Sequence, residues 1–161
     1  AEAAKSHYGP WVFNCQAPDE GNMHTLLHWA TDEQKEKYLK PLCEGRTWSC
    51  FAMTEPEVAG SDPTLIQTSA YEDGDEWVIN GEKWYASHAD FSRFLLVVVV
   101  TDTSVPIHKG ASILIVDRDA PGLELVRNVS STIIPIFPSY NIFPPSNNSR
   151  LSILRTTGGG G

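Results

Sequence analysis

Residues 51–64 read FAMTEPEVAGSDPT, and this stretch decides how the rest of the chain is interpreted. Its first residues predict the end of a β-strand, and the glycine, serine and aspartate that follow predict a loop. Such a loop offers backbone amides and small hydroxyls beside a strand end. That equipment suits a ligand with carbonyls, ring nitrogens or a pyrophosphate, although the spacing alone favours an ordinary hairpin loop.

The sequence before this stretch has a helical period between Asn22 and about Leu42. Apolar residues recur there at intervals of three and four, which places them on one face of a helix. Thr31 and Gln34 form a capping box, because the threonine hydroxyl can accept from the amide of residue 34 while the glutamine reaches back. Gly45 is typical of a helix end. We therefore expect short helices at the start of the chain.

After residue 45 the apolar period changes to two, which predicts β-strands. Asp73-Gly74 and Asn80-Gly81 are strong signals for two-residue hairpin turns. Residues 93–101 form a near-continuous apolar run, which predicts a strand buried on both faces. About six strands with hairpin links predict a mainly β fold with N-terminal helices, arranged as an antiparallel barrel or sandwich. The last two of these strands are expected at residues 111–117 and 123–129.

The composition changes sharply near Ser130. All 20 acidic residues lie at or before Glu124, whereas residues 131–161 contain four prolines, a closing glycine run and only two charged residues, both arginine. Prolines interrupt helices and strands alike. We expect residues 131–161 to be disordered or loosely attached, or to be non-native sequence of frame-shifted, intron-derived or gene-fragment origin.

Length, charge and cysteine content exclude several classes of protein. The 161 residues suit one modest domain, and the formal net charge of −8 argues against binding to nucleic acid or to an anionic lipid surface. The three cysteines form no CxxC pair, which predicts reduced thiols in an intracellular protein. No secretory signal is expected, and the longest apolar run, residues 94–100, is too short to span a bilayer.

Four other patterns in the sequence resemble known kinds of site. His24 and His28 lie four residues apart on a helix, but no third metal ligand is evident. Residues 60–62 read Gly-Ser-Asp and resemble part of a nucleophile elbow, but the sequence contains no Gly-x-Ser-x-Gly. His88 could act as a general base, although a partly buried hydrogen-bonding role is the commoner one. Asn128 begins a glycosylation sequon, which carries little weight without a signal peptide.

Residues 51–62, FAMTEPEVAGSD, resemble the flavin-binding signature of the acyl-CoA dehydrogenase family. Upstream, residues 31–45 (TDEQKEKYLKPLCEG) are similar to the helix that leads into that signature. Downstream, residues 77–87 (WVINGEKWYAS) are similar to the strand pair that follows it. The spacing between Pro56 and Gly60, together with residues 13–23 (FNCQAPDEGNM), is most similar to the branch of family members 10 and 11. The resemblance covers residues 8–130.

This resemblance implies a domain organisation and an activity. Residues 1–45 would end an N-terminal helical domain, residues 46–130 would form a barrel-like middle β domain, and residues 131–161 would be an aberrant tail. In the family, FAD lies between the middle domain and a C-terminal bundle, with the acyl-CoA thioester against the flavin. A carboxylate removes the α proton as the β hydride passes to the flavin, which gives a trans-2-enoyl-CoA. The full-length protein is expected to be a homo-oligomer.

The resemblance also implies cofactor-binding roles for residues of the first motif. Phe51, Met53 and Thr54 would face the isoalloxazine and donate backbone or hydroxyl hydrogen bonds to it. Gly60 and Ser61 would approach the FAD pyrophosphate or the CoA arm of the substrate.

In the downstream motif, the family's Trp-Ile-Thr appears here as Tyr85-Ala86-Ser87. An aromatic plane and a hydroxyl are kept, so stacking on the flavin and a hydrogen bond remain available, with an ordinary core position as the alternative for Tyr85. The catalytic base of the family belongs to the C-terminal bundle, so no residue here is assigned that role. Glu55 and Glu57 are candidates by residue type only, and we expect Glu55 to be an exposed loop residue.

Two functional classes therefore remain open. The chain is either the flavin-facing part of an FAD-dependent acyl-CoA dehydrogenase, inactive on its own, or a non-catalytic module that binds flavin or CoA, or is purely structural. Another reaction of the same superfamily, such as that of an acyl-CoA oxidase or a nitroalkane oxidase, is a further alternative. The expected location is the cytoplasm in a bacterium, and mitochondria or peroxisomes in a eukaryote.

Overall fold

The computed structural model describes residues 5, 6, 8–129, 139–142 and 149–151. These residues include three helices near the start of the chain and one short helix later in the chain. Helix α1 is Gly9–Val12 and α2 is Asp19–Trp29. Helix α3, residues 32–43, consists of α-helical Asp32–Gln34, a π-helical turn at Lys35–Leu39 and α-helical Lys40–Cys43. Helix α4 is Ile107–Gly110.

The predicted capping box is confirmed at the start of α3. The amide of Gln34 donates to the Thr31 hydroxyl at 3.2 Å, and the amide of Thr31 donates to the Gln34 side chain at 2.9 Å. Both bonds satisfy amides that the first helical turn leaves without partners, so the helix begins where the sequence predicts.

The described residues contain nine strands. They are β1 Ser49–Ala52, β2 Ser69–Asp73, β3 Glu76–Asn80, β4 Lys83–Ser87, β5 Phe94–Val100, β6 Ala111–Asp117, β7 Leu125–Val129, β8 Ser139–Ile142 and β9 Ser149–Leu151. These strands form two sheets, of which the first contains β1, β2, β3, β5, β6 and β9 and the second is ordered β4-β8-β7.

Strand β5 is the centre of the first sheet, and all seven of its residues are buried, as the apolar run predicts. It pairs antiparallel with β6 along its whole length. It also pairs parallel with β1 and, through Ser69 and Val100, with β2. The sheet is therefore mixed, and the expectation of a purely antiparallel arrangement is wrong. The described strands do not close on themselves, so the barrel-like form is not confirmed.

The helices cover one face of this sheet. Residues of β5 alternate between the two faces, so those that contact the helices lie two positions apart. Phe94 and Leu96 pack against Leu26 of α2 and against Tyr38 and Leu42 of α3. The intervening residues of β5 point to a second buried cluster, which contains Cys50, Ala70, Ile79, Ala86, Leu95, Val97, Val99, Leu114 and Val116. Together the two clusters hold the ends of β1 and β4 in place.

Of the two predicted hairpin turns, one is shifted and one is wrong. Asp73 pairs with Glu76, so the two-residue loop between β2 and β3 is Gly74-Asp75, with Gly74 at a φ of 68°. Asn80-Gly81 joins no hairpin, because β3 belongs to the first sheet and β4 to the second.

Two short strands lie within residues 131–161, where the composition predicted neither helix nor strand. Strand β8 pairs with β4 and β7, and β9 pairs with β3. The remaining residues of that segment lie outside the described part, so the boundary near residue 130 and the origin of the segment stay predictions. None of the helices in the described ranges is long and apolar enough to cross a membrane.

Candidate functional site

The first and third sequence motifs meet where β1 ends and β4 begins. The amide of Trp84 donates to the carbonyl of Thr54 at 2.8 Å. The Thr54 hydroxyl donates in return to the Trp84 carbonyl in a short hydrogen bond. Two segments thirty residues apart in sequence are thus joined at the junction of the two sheets, and the residues that follow them, Glu55 and Tyr85, are neighbours of that junction.

A buried ion pair lies behind this junction. Lys83 is fully buried, and its ammonium donates to Glu55 Oε1 at 2.8 Å and to the Met53 carbonyl at 2.9 Å. Glu55 is 7% exposed, so the expectation that it is an exposed loop residue is wrong. Because an unpaired charge is costly to bury, each residue requires the other.

Glu55 also fastens the far end of the loop that follows it. Its carboxylate accepts from the amides of Gln67 at 2.8 Å and Thr68 at 2.9 Å, just before β2. Burial alone would raise the pKa of Glu55, but the hydrogen bonds from Lys83 and from these amides outweigh it and hold the pKa below its usual value. For Lys83, burial dominates and lowers the pKa, with Glu55 opposing it.

Tyr85 presents its ring at the surface beside the junction. The residue is 52% exposed and has a φ of 53°, and the register of β4 against β8 shifts between Lys83 and Ala86. A positive φ is unusual for a residue with a large side chain and marks a local kink. The ring of Trp84 lies 5.2 Å from that of Tyr85. Tyr85 is therefore an accessible aromatic surface, and the alternative of a core position is wrong.

The loop after β1 folds back on the junction. A side chain at Gly60 would begin 3.5 Å from the Thr54 methyl group, so a larger residue at this position would contact Thr54. Asp62 accepts from the Thr64 amide at 3.0 Å and from its hydroxyl at 2.6 Å, which starts the short helical turn Pro63–Leu65. Gly60 and Ser61 are exposed at the tip of this loop.

The other predicted site residues are spread around the junction rather than on one face. Phe51 packs between the helices and the buried strands. Met53 contacts the cluster of Ile66, Val98 and Val100, and its carbonyl is taken by Lys83. Ala86 is buried in the core, and Ser87, half-buried, pairs with Ser139 of β8. Thr54 is the predicted residue that lies near two others, with Gly60 close to its methyl group and Tyr85 next to its hydrogen-bond partner Trp84.

An open groove of about 370 Å³ lies between the start of α2 and the side chain of Phe51. Its other lining residues were not predicted as site residues, and most present apolar surface. The predicted helical range begins at Asn22 and contains only two of them, and helical spacing could not show that these two face β1. The other lining residues are Ala17, Pro18, Gly21, Asn22 and Thr25.

His88 is completely buried rather than partly buried. It packs among the rings of Trp11, Trp48 and Phe91, with centroid distances of 4.8 to 6.3 Å. Burial lowers its pKa, and the nearby Asp19 and Asp90 oppose this only in part. A side chain enclosed in this way belongs to the packing of the helices on the sheet and is not a general base at the junction.

Sequence reasoning missed Lys83 and Trp84, which hold the junction together. Lys83 stands in a strand that alternates in polarity, where a lysine ordinarily faces solvent. The available signal was the motif itself, since Lys83 and Trp84 lie inside residues 77–87 and Glu55 lies inside residues 51–62.

A comparison with known protein families finds a match to the family described as acyl-CoA dehydrogenase, middle domain, over residues 50–133. The chain is also 46% identical over 132 residues to acyl-CoA dehydrogenase family member 11 of Gallus gallus. That alignment covers 80% of this chain and 17% of the relative, so the chain spans about a sixth of the relative's length.

Solved structures give the same result. A protein of Mycobacterium abscessus, provisionally named an acyl-CoA dehydrogenase, superposes with a TM-score of 0.82 at 34% identity, covering 96% of this chain and 38% of that one. A glutaryl-coenzyme A dehydrogenase in complex with glutaryl-CoA superposes with a TM-score of 0.76 at 27% identity, covering 86% of this chain and 35% of that one.

Proposed function

Since the family match spans more than half of its residues, the chain belongs to the acyl-CoA dehydrogenase family, and we propose that it forms the flavin-facing middle domain of an FAD-dependent acyl-CoA dehydrogenase. The observation that carries the proposal is the junction of Thr54 with Trp84, beside which Tyr85 presents an accessible ring. An aromatic ring can stack on a planar cofactor, and this junction offers an exposed one.

The residues present fit a flavin in a more limited way than the motif implies. When bound, FAD would accept the hydride in the oxidation of a thioester. Tyr85 would stack on the ring system, and Gly60 would let the loop backbone come close to it. The Thr54 hydroxyl proton is already donated to Trp84, so Thr54 would act toward the cofactor through its backbone or as an acceptor.

The groove beside Phe51 supports acyl-CoA as the substrate class. Its largely apolar lining suits a hydrocarbon chain, and it lies next to the strand that runs into Met53 and Thr54. A structural relative carries glutaryl-CoA. We propose α,β-dehydrogenation of such a thioester to a trans-2-enoyl-CoA as the reaction of the whole protein.

Glu55 does not serve as the catalytic base in this proposal. Its carboxylate is buried and already accepts from Lys83 and from two backbone amides, so it has little capacity to take a substrate proton. We propose that the base comes from a part of the whole protein outside this chain. The chain alone would then bind the cofactor without oxidising a substrate.

A non-catalytic role is the second candidate, because the buried carboxylate at the junction, Glu55, is already bonded to Lys83 and to two backbone amides. A titration with FAD separates the dehydrogenase fragment from a purely structural module. The purified chain should bind FAD, with altered flavin absorption bands, and the bands should persist when an acyl-CoA is added because the base is absent. An enzyme fragment and an inert module differ in the first of these results.

Matched tyrosine variants test the site. Tyr85 and Tyr71 are both 52% exposed, but Tyr71 lies on β2 away from the junction. Tyr85→Ala should weaken FAD binding by several-fold to about tenfold, the usual worth of an aromatic stack, while Tyr71→Ala should not change it. Equal affinities for all three proteins, or no FAD binding by any of them, would refute the proposed site.

A further inference from the structure

We infer that the buried Glu55–Lys83 pair is a positioning device that holds the segment of Thr54 against the segment that carries Tyr85. The inference rests on the proposed function only in one respect, namely that Thr54 and Tyr85 are positioned to contact a flavin. Its geometry stands on the structure alone, since both charged groups lie behind the surface that the cofactor would touch and act through their neighbours.

Lys83 forms hydrogen bonds to the residues on both sides of Thr54. Its ammonium donates to the carbonyl of Met53 at 2.9 Å and to the carboxylate of Glu55 at 2.8 Å. The next residue, Trp84, exchanges hydrogen bonds with Thr54 itself. Three consecutive residues that directly follow β1, Met53 to Glu55, are thus bonded to two consecutive residues of β4. Because Lys83 and Trp84 are both held by these bonds, the position of the next residue, Tyr85, is restricted.

Glu55 extends the same hold to the loop that carries Gly60. Its carboxylate accepts from the amides of Gln67 and Thr68, so one side chain closes both ends of the loop between residues 55 and 67. The carbonyl of Thr68 accepts in turn from the amide of Val100 at 2.8 Å, at the end of β5. The loop is therefore attached through Thr68 to the central strand β5.

A buried ion pair is not in itself evidence that the pair stabilises the fold. Buried ion pairs can often be replaced by apolar residues of similar volume without loss of stability, whereas removing one partner alone is costly. Apolar side chains cannot donate to two acceptors at once or accept from two amides. What the pair adds over an apolar core is therefore the fixed geometry of the groups that it joins.

The test compares two doubly neutralised variants of the full 161-residue chain. Glu55→Gln/Lys83→Met removes the pair with little change of volume. Lys37→Met/Asp117→Asn is the matched control, because that 2.9 Å ion pair is half-exposed and joins α3 to β6. The readout is the hydrogen exchange of single amides, measured by NMR under native conditions.

The informative amide is that of Trp84, whose acceptor, the Thr54 carbonyl, is changed by neither substitution. In Glu55→Gln/Lys83→Met it should exchange at least about tenfold faster, while the Val97 amide of β5 and the urea midpoint stay near their wild-type values. The control variant should leave Trp84 unchanged. Wild-type exchange at Trp84 in the folded double variant overturns the inference, and so does failure of that variant to fold, because the pair would then serve stability.

FAD titration supplies the functional arm. If the wild-type chain binds FAD, Glu55→Gln/Lys83→Met should bind it about tenfold more weakly and with a different quenching of flavin fluorescence, and the control pair should not. Unchanged affinity and quenching overturn the inference. If the wild-type chain binds no FAD, the proposed function fails by itself, and the Trp84 exchange rate alone decides on the positioning role.

Discussion

At the scale of single residues, the buried carboxylate of Glu55 links the stability of the junction to pH. Its pKa in the folded chain lies below 4.5, the value ascribed to the unfolded chain. Between those two values the unfolded state binds more protons than the folded state, so acidification favours unfolding. The stabilisation by Glu55 is therefore complete above about pH 4.5 and is lost as the pH falls through the folded pKa.

Glu55→Gln should show this linkage directly. At pH 7 the variant should lose about 3–5 kcal/mol of unfolding free energy, because the charge of Lys83 is left buried without a counter-ion. The deficit should shrink as the pH falls below 4.5, since Glu55 of the unfolded wild-type chain then takes up a proton that the folded chain binds only at a lower pH. Urea unfolding at a series of pH values measures both. Glu57→Gln, at an exposed position two residues on, is the control. A deficit that is constant with pH would contradict the assigned linkage.

Single-residue roles were only partly predictable. The resemblance of two motifs to one family singled out Thr54, Gly60 and Tyr85, and the roles of these residues toward a cofactor stay predictions. The burial of Glu55 and Lys83 could not, because a charged side chain is buried only when its partner is in reach, and that partner lies 28 residues away. Nor could local sequence show that the Thr54 hydroxyl is occupied by the Trp84 carbonyl.

At the scale of elements, the crossing from β3 to β4 carries a tight contact. Gly81, between these strands, has a φ of 153°, and a side chain there would begin 2.7 Å from the Thr68 Cα. That distance is shorter than real contacts, so any larger residue must displace the Thr68 backbone. Since the Thr68 amide donates to Glu55, the displacement would reach the ion pair.

Gly81→Ala should therefore destabilise the chain more than a glycine substitution that strains only the backbone. We expect a loss of about 2–4 kcal/mol, from the close contact and the unfavourable φ together. Gly74→Ala is the matched control, because Gly74 also has a positive φ of 68° but has open space around it. It should lose about 1 kcal/mol. Equal losses in urea unfolding would contradict the packing role of Gly81.

Element positions were easier to predict than element partners. The apolar run of β5, the strand at 111–117 and the capping box at Thr31 depend on local patterns, and all three are confirmed. The parallel pairing of β5 with β1 joins residues more than 40 positions apart and has no local signal. Asn80-Gly81 fits a hairpin turn by residue type, yet its neighbouring strands enter different sheets.

At the scale of the whole molecule, the chain presents surfaces that suit contact with more protein. Large apolar side chains are exposed on the helices, among them Phe13, Leu27 and Trp29, and the groove beside Phe51 is open. Exposed apolar patches of this kind mark interaction sites or promote association. Because relatives of the chain are several times longer, we expect the isolated chain to self-associate more readily than a protein that contains it as one domain.

A chimera tests the middle-domain role at this scale. The 132 matched residues of the Gallus gallus relative would be replaced by the corresponding residues of this chain. If the segment is a competent middle domain, the chimera should bind FAD and oxidise acyl-CoA within roughly tenfold of the parent, a barrier change of about 1.4 kcal/mol. Flavin absorbance and its bleaching by substrate measure both properties. The same chimera with Tyr85→Ala should bind FAD more weakly, as in the isolated chain. A chimera that folds and stays monodisperse but takes up no flavin would refute the role, since the cofactor-facing surface would then be the part that fails.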